Sequence, residues 1–298
     1  MIAAMTETPS PSEVFAPGVL QEGTALVTGG GTGLGKATAV ELARCGARVT
    51  IAGRRAEVLE LAAAEIAGAA GLDEPELVSW ISADIRDPED ARALIAGVLE
   101  RGGGLDVLVN NAGGQFFSPA ELIAAKGWRA VWRLNVEGML NMAEAAFDMA
   151  FEGAGAGTVV NVTLSPHHGM PGMAHSGAAR ATVEALTREL AERWAAANVA
   201  VSAVAAGHFD TEVMVKYPAS VRAGMSQAAP LQRLGTVQEH AWLVALLASP
   251  VGRALNGSTI TLDGARDNWF GPWPPAGMAS DSGEVPVEER RAPGGAPA

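Results

Sequence analysis

Cysteine, tyrosine and lysine are almost missing from this chain, and each shortage excludes something. The single cysteine, Cys45, has no partner for an internal disulfide, so burial must hold the fold, and a reducing compartment is expected. No run of about 18 apolar residues exists to cross a bilayer. Met1 to Ser12 lack a basic region ahead of an apolar stretch, and Gly294 to Ala298 match no retention or peroxisomal address, so a cytoplasmic location is expected. Only Lys36, Lys126 and Lys216 are lysines, and 33 acidic against 21 basic residues leave a net charge of −12. That balance excludes nucleic acid and anionic membrane as general partners, while a local basic pocket for a phosphate stays open. No metal site is expected, because the adjacent His167 and His168 lack ligand spacing and no Cys/His/Asp cluster accompanies them.

What is present is a large apolar fraction, 48% of 298 residues, arranged in a regular alternation. Short β-branched runs alternate with alanine-rich helical stretches, the pattern of an α/β fold with helices on both faces of a parallel sheet. The expected strands are Thr24–Thr28, Arg48–Ala52, Leu77–Ser82, Leu105–Asn110, Thr158–Thr163, Val199–Val204 and Ser258–Leu262. Their runs lack polar alternation, as strands buried on both faces do. The reading is one doubly wound, seven-stranded, Rossmann-type domain over residues 19–266, preceded by a mobile tail (1–18). It is followed by an aromatic extension and second tail (267–298). Asp87-Pro88-Glu89-Asp90 marks a helix start, with an N-cap, a first-turn proline and acids at the positive dipole end, and Gly102-Gly103-Gly104 marks its stop near Arg101.

Directly after the first strand runs Thr28-Gly29-Gly30-Gly31-Thr32-Gly33-Leu34-Gly35, opening a helix near Lys36. Glycines let the backbone approach a pyrophosphate, and a helix N-terminus supplies free N–H groups. A tight strand-to-helix turn needs glycine too, but a strand before and a helix after favour cofactor binding. The second strand ends in Ala52-Gly53-Arg54-Arg55, where an acid would accept from the ribose 2′-OH of NAD. Arginine there clamps a 2′-phosphate instead, which favours NADPH over NADH; the bland alternative is a solvated helix start.

The TGxxxGxG spacing, with Asp84 and Ile85 after the third strand, Asn110-Asn111-Ala112-Gly113 after the fourth, and Asp263-Gly264 after the last, resembles the short-chain dehydrogenase/reductase family. The resemblance covers Gly18 to about Gly264. It implies that Thr28, Gly29, Gly31, Thr32, Gly33, Leu34, Gly35, Asp84, Ile85, Asn111, Ala112 and Gly113 hold the cofactor, together with Gly207 and Thr211 beyond the sixth strand. Asn135 matches the family's active-site asparagine, which would organise water, and a homotetramer through long helices near Trp132 and Trp194 is implied as well. The tryptophans Trp128, Trp132 and Trp194 otherwise read as core.

The family's proton chemistry uses a Tyr-x-x-x-Lys pair, but the matching stretch is His175-Ser176-Gly177-Ala178-Ala179-Arg180, with Ser176 at the tyrosine position and Arg180 at the lysine position. Four residues apart on one helix, they face the same way. Arg180 can still hold ribose hydroxyls, whereas a serine hydroxyl is far too weak an acid to replace a tuned phenol. Reduction of an activated C=C bond survives that loss, because the enolate formed needs mainly hydrogen-bond donors. Gly114-Gln115-Phe116-Phe117, Lys126-Gly127-Trp128, the His175 stretch and Asp267-Asn268-Trp269 are similar to the trans-2-enoyl-CoA and 2,4-dienoyl-CoA reductase branch. The implied substrate is a small-molecule acyl thioester, on CoA or a carrier protein, with Ser165 or Ser176 bonding its oxygen. Glu184 stands where that branch places a tyrosine, and the lone tyrosine, Tyr217, falls in a lid segment. His167, His168 and His208 are the other candidate titrators, and Trp269 and Trp273 could close a tunnel or grip a subunit. The alternative function is a catalytically retired fold that binds nucleotide or a partner without turnover.

Overall fold

The computed structural model describes residues 12–164, 172–212, 214, 224–227 and 229–268. Seven strands form the sheet: β1 (Thr24–Thr28), β2 (Arg48–Gly53), β3 (Val78–Ser82), β4 (Val107–Asn110), β5 (Gly157–Leu164), β6 (Val199–Ala206) and β7 (Thr259–Leu262). All pairings are parallel, in the order β3-β2-β1-β4-β5-β6-β7. The order reverses between β1 and β4, and a crevice opens at such a switch point beyond the strand C-termini.

Residue alternation along β1 explains the two layers. Ala25 and Val27 point into one core with α1 (Gly33–Arg44), α2 (Ala56–Ala70) and α7 (Val237–Ala248), through Leu42, Ile66 and Leu247. Leu26 points into the other, with α3 (Pro88–Gly102), α5 (Gly138–Ala146) and α6 (Ala174–Arg193), through Ile95, Met142 and Val183. Period-two side chains thus give both sheet faces an apolar lining, as doubly wound folds require.

The expected helix start at Asp87 is present: its side chain accepts the Glu89 N–H at 2.9 Å, Pro88 opens α3, and Gly103 closes it at φ +74°. Of the seven strands only β1 keeps both expected ends, and the others shift by one or two residues. α1 begins at Gly33 rather than near Lys36, so the last glycines of the turn form its first turn. Leu77 belongs to a 3-10 turn, and β4 starts at Val107 rather than Leu105. The long helix of α4 (Ala125–Trp132) and α5 is interrupted by a π turn over Arg133–Glu137, because the Asn135 amide donates to the Val131 carbonyl at 2.7 Å and competes with the i→i−4 ladder.

Part of the expected N-terminal tail is docked. Ser12 donates to the carboxylate of fully buried Glu41, which also receives the Gln238 amide at 2.7 Å, and Phe15 packs on the core. Residues 1–11 and 269–298, with Trp269 and Trp273, lie outside the described residues.

Candidate functional site

The glycine turn is shaped by close approaches that side chains would block. Gly29 adopts φ +68°, and a Cβ there would stand 3.0 Å from the Cα of Ala112; a Cβ at Gly35 would stand 2.5 Å from the Gly29 carbonyl and strike the Asn111 amide. Thr28 Oγ1 accepts the N–H groups of Asn111 at 3.1 Å and Ala112 at 3.0 Å, while the Asn111 side chain returns a bond to the Thr28 carbonyl at 2.9 Å. The ends of β1 and β4 are therefore laced together across the switch point. Thr32, the N-cap of α1, makes no side-chain cap bond, so the positive end of that helix is open to an anion.

A cleft of about 470 Å³ lies above this lacing. It is lined by Thr28, Gly29, Gly31, Thr32, Gly33, Leu34 and Gly35 from the turn, by Arg54, Arg55, Asp84 and Ile85 from the β2 and β3 ends, and by Asn111, Ala112, Gly113 and Thr211. Ala52, Gly53, Val58, Leu59, Ala83, Gln115 and Leu134 complete the wall. Neither Arg54 nor Arg55 has an ion-pair partner among the described residues. Asp84 does have one: Arg86 donates from Nε at 2.8 and 3.0 Å to both carboxylate oxygens, and from Nη2 to one of them. These bonds hold the Asp84 carboxyl below the usual range, with the nearby charge of Arg54 adding to the effect. Arg86 was missed as a site residue, although Asp84-Ile85-Arg86 places an arginine one Asx turn beyond the acid, and the Arg86 N–H does bond Asp84 Oδ1 at 3.2 Å.

Two expected cofactor residues stand elsewhere. Gly207 does not line the cleft; a Cβ there would sit 2.5 Å from the Asp263 Cβ, so its smallness lets β6 and β7 end side by side. Arg180 lies behind Gly113, its guanidinium so close that Gly113 has no room for a side chain, and it donates to the Val162 carbonyl at 3.0 Å. Burial draws its pKa down to about 10, still cationic at neutral pH.

Of the expected catalytic residues, Asn135 and Arg180 converge on Gly113 at the cleft wall, where a Cβ would meet both Asn135 Oδ1 and Arg180 Nη2. Ser165 lies outside the described residues, as do His167, His168 and Tyr217. Asn135, expected to organise water, is a clamp instead: its amide donates to the carbonyls of Gly114 at 2.8 Å and Val131, and its oxygen accepts the Gly114 N–H at 3.1 Å. Ser176 is fully buried, and its Oγ has no partner among the described residues. The adjacent His175, unassigned in the sequence, is buried against Phe116 and Trp128 with ring centroids 4.4 and 6.0 Å away, and among the described residues neither of its nitrogens has a partner. Glu184 is buried nearby and accepts from Thr163 Oγ1 at 3.4 Å. Burial, with Arg266 close by, pushes the His208 pKa down to about 4 against the opposing pull of Asp263, which makes it a poor proton carrier at neutrality. Trp194 is a core residue, stacked on Phe147 at 4.6 Å, whereas Trp132 is exposed.

Among the described residues no group of His, Cys, Asp and Glu could hold a metal ion, and no helix is long and apolar enough to cross a membrane. The residues present fit a nicotinamide dinucleotide: glycines too close-packed to carry side chains, an uncapped helix N-terminus and free cations at the far end of the cleft.

Comparison with known proteins agrees with this geometry. The family described as Enoyl-(Acyl carrier protein) reductase matches residues 29–265. A peroxisomal 2,4-dienoyl-CoA reductase of Pongo abelii is 32% identical over 260 residues, 86% of this chain and 87% of that protein. A probable 2,4-dienoyl-CoA reductase of Bacillus subtilis is 33% identical over 261 residues, 86% of this chain and all of its own. Among solved structures, a citronellol catabolism dehydrogenase of Pseudomonas aeruginosa superposes with a TM-score of 0.75 at 39% identity, covering 85% of this chain and 98% of its own. The glycine turn, the laced β1 and β4 ends and these matches along most of the sequence place the chain in the short-chain dehydrogenase/reductase family.

Proposed function

We propose that the protein uses NADPH to reduce the C=C bond of an α,β-unsaturated (2-enoyl) thioester carried on CoA or a carrier protein. The observation that carries the cofactor choice is the pair Arg54 and Arg55, both lining the cleft, unpartnered, with no acid at the end of β2. The reaction class rests on the family match and on the reductases named above, together with the lack of any tyrosine on α6.

When bound, the nicotinamide would supply a hydride to the β-carbon, and solvent would supply the proton taken up at the α-carbon. The protein's own part is to hold and to polarise. The open N-terminus of α1 and the glycine turn would take the pyrophosphate, and Arg54 and Arg55 the 2′-phosphate. Arg180, behind Gly113, would bond the nicotinamide ribose. Asn135 fixes the Gly114 backbone, and through it the Gln115-Phe116 wall. Ser176 Oγ, buried without a partner, is free to donate to the thioester oxygen as enolate charge develops, a role Ser165 would share.

The deciding experiment follows NADPH oxidation with a 2-enoyl-CoA and with the matching 3-oxoacyl-CoA. The enoyl substrate should turn over and the ketone should not, because an alkoxide needs a positioned acid. Rapid ketone reduction would overturn the assignment. NADPH should bind at least about tenfold more tightly than NADH, and Arg54→Ala should erase most of the difference, from charge-assisted bonds worth about 1.5–3 kcal/mol each. A second reading, nucleotide binding without turnover, draws on the complete burial of Ser176; inactivity on both substrates with tight NADPH binding would favour it. We also propose a cytoplasmic homotetramer, with exposed Trp132 at a helix interface, for which light scattering showing a monomer would be the contrary result.

A further inference from the structure

Asp84 is the only carboxylate among the described residues lining the cleft. It stands one strand away from Arg54: Gly53 pairs with Ser82 in the sheet, Ala83 N–H donates to the Gly53 carbonyl at 2.9 Å, and Ser82 Oγ donates to the Arg54 carbonyl at 3.4 Å. A phosphate held by Arg54 and Arg55 would therefore meet a negative neighbour, and repulsion between such charges across a partly wet cleft opposes binding. Asp90 adds to the negative side from behind, accepting the Asp84 N–H at 3.2 Å. The Arg86 fork, engaging both Asp84 oxygens, is the direct ion pair that offsets the exposed charge, with Arg54 acting at longer range, and the Arg86 side chain is one-third exposed rather than sunk in the core.

We propose that Arg86 is a positioning residue for cofactor choice: by pairing with Asp84 it neutralises the cleft's one carboxylate and turns it away from the phosphate, so that the Arg54–Arg55 end stays positive enough to select a phosphorylated ribose. The inference rests on the NADPH reading above and deepens it. Arg86 acts through Asp84 and need not touch the cofactor.

The test measures dissociation constants of NADPH and NADH by fluorescence titration of the full-length protein, at one ionic strength. Wild type is compared with Arg86→Gln, Arg86→Lys and the double variant Arg86→Gln, Asp84→Asn. Arg86→Gln should weaken NADPH by about fivefold, the order expected of a partly exposed charge, and NADH by less than about twofold. In the double variant, where Asp84→Asn alters a cleft residue that both cofactors meet alike, the ratio of the NADPH to the NADH dissociation constant should return to within about twofold of wild type, and Arg86→Lys, which keeps the charge, should stay near wild type. Equal weakening of both cofactors, or no recovery with Asp84→Asn, would mean that Arg86 merely braces the loop or itself contacts the phosphate, and overturns the proposal. The Lys variant carries the same decision if Arg86→Gln unfolds: loss of NADPH preference despite a retained charge also overturns it. Wild-type protein that binds both cofactors equally overturns the NADPH reading and this inference together. An NADPH preference that Arg86→Gln leaves undiminished overturns this inference alone.

Discussion

The two ends of the site are built to different standards of completeness. Where β1 meets β4, Thr28 and Asn111 satisfy one another's backbone, and behind them the Asn110 amide donates to Asn161 Oδ1 at 3.0 Å, although Asn110 Oδ1 itself has no partner among the described residues. At the start of α6, by contrast, His175 and Ser176 are buried, and among the described residues neither ring nitrogen nor the hydroxyl has a partner, nor does Arg180 Nε. A buried polar atom without a bond costs about 1–3 kcal/mol. The β1–β4 junction thus makes most of its bonds internally, whereas the start of α6 carries more buried polar groups with bonds left open.

Breaking the β1–β4 junction should have the largest effect. Gly35→Ala drives a Cβ against the Gly29 carbonyl and the Asn111 amide, neither of which can retreat, and overpacking of this kind costs about 3 kcal/mol. Denaturant unfolding should show that loss, and cofactor titration should show no binding.

Acid should strain the same half next. His240, fully buried on α7 with Nδ1 3.4 Å from Thr38 Oγ1 of α1 and its ring edge against Phe209, is pushed down to a pKa of about 4 by burial. Its folded pKa lies below the unfolded value near 6.5, so the unfolded chain binds the extra proton between those values. Stability should therefore fall as pH drops from about 6.5 to 4, by about 2–3 kcal/mol from this residue, with His208 adding to the same window. Unfolding curves that are flat across that range would show His240 to be solvated.

The sharpest comparison pairs Thr28→Val with Ser176→Ala. Removing Thr28 Oγ1 leaves the Ala112 N–H without its acceptor and weakens the bond to Asn111, for a loss of about 1–2 kcal/mol. Removing Ser176 Oγ breaks nothing, and stability should stay within about 1 kcal/mol of wild type or rise, although enoyl turnover should drop. Equal destabilisation by both would erase the distinction between the two ends.

How much of this was legible depended on distance along the chain. Strand, glycine turn and helix follow one another within residues 24–44, so spacing alone displayed the cradle, and the Asp87-Pro88 start of α3 was equally local. Gly207 shows where local reading failed: its role is contact with Asp263, a residue brought beside it only by the pairing of β6 with β7. Asn135 was located correctly on its helix, but its use as a clamp depends on where the Gly114 loop passes.

The sequence by itself determined the doubly wound order of elements, the glycine turn between β1 and α1, the two arginines after β2 and the absence of a tyrosine on α6, because each is a matter of residue type at short spacing. Tertiary structure alone decided that Arg86 shields Asp84 within the cleft, that Trp194 is spent on the core, and that His175 is closed between Phe116 and Trp128 without a hydrogen bond. Burial and hydrogen-bond satisfaction are properties of space shared by distant segments, and no pattern along a single segment encodes which of its polar groups will be left unpaired.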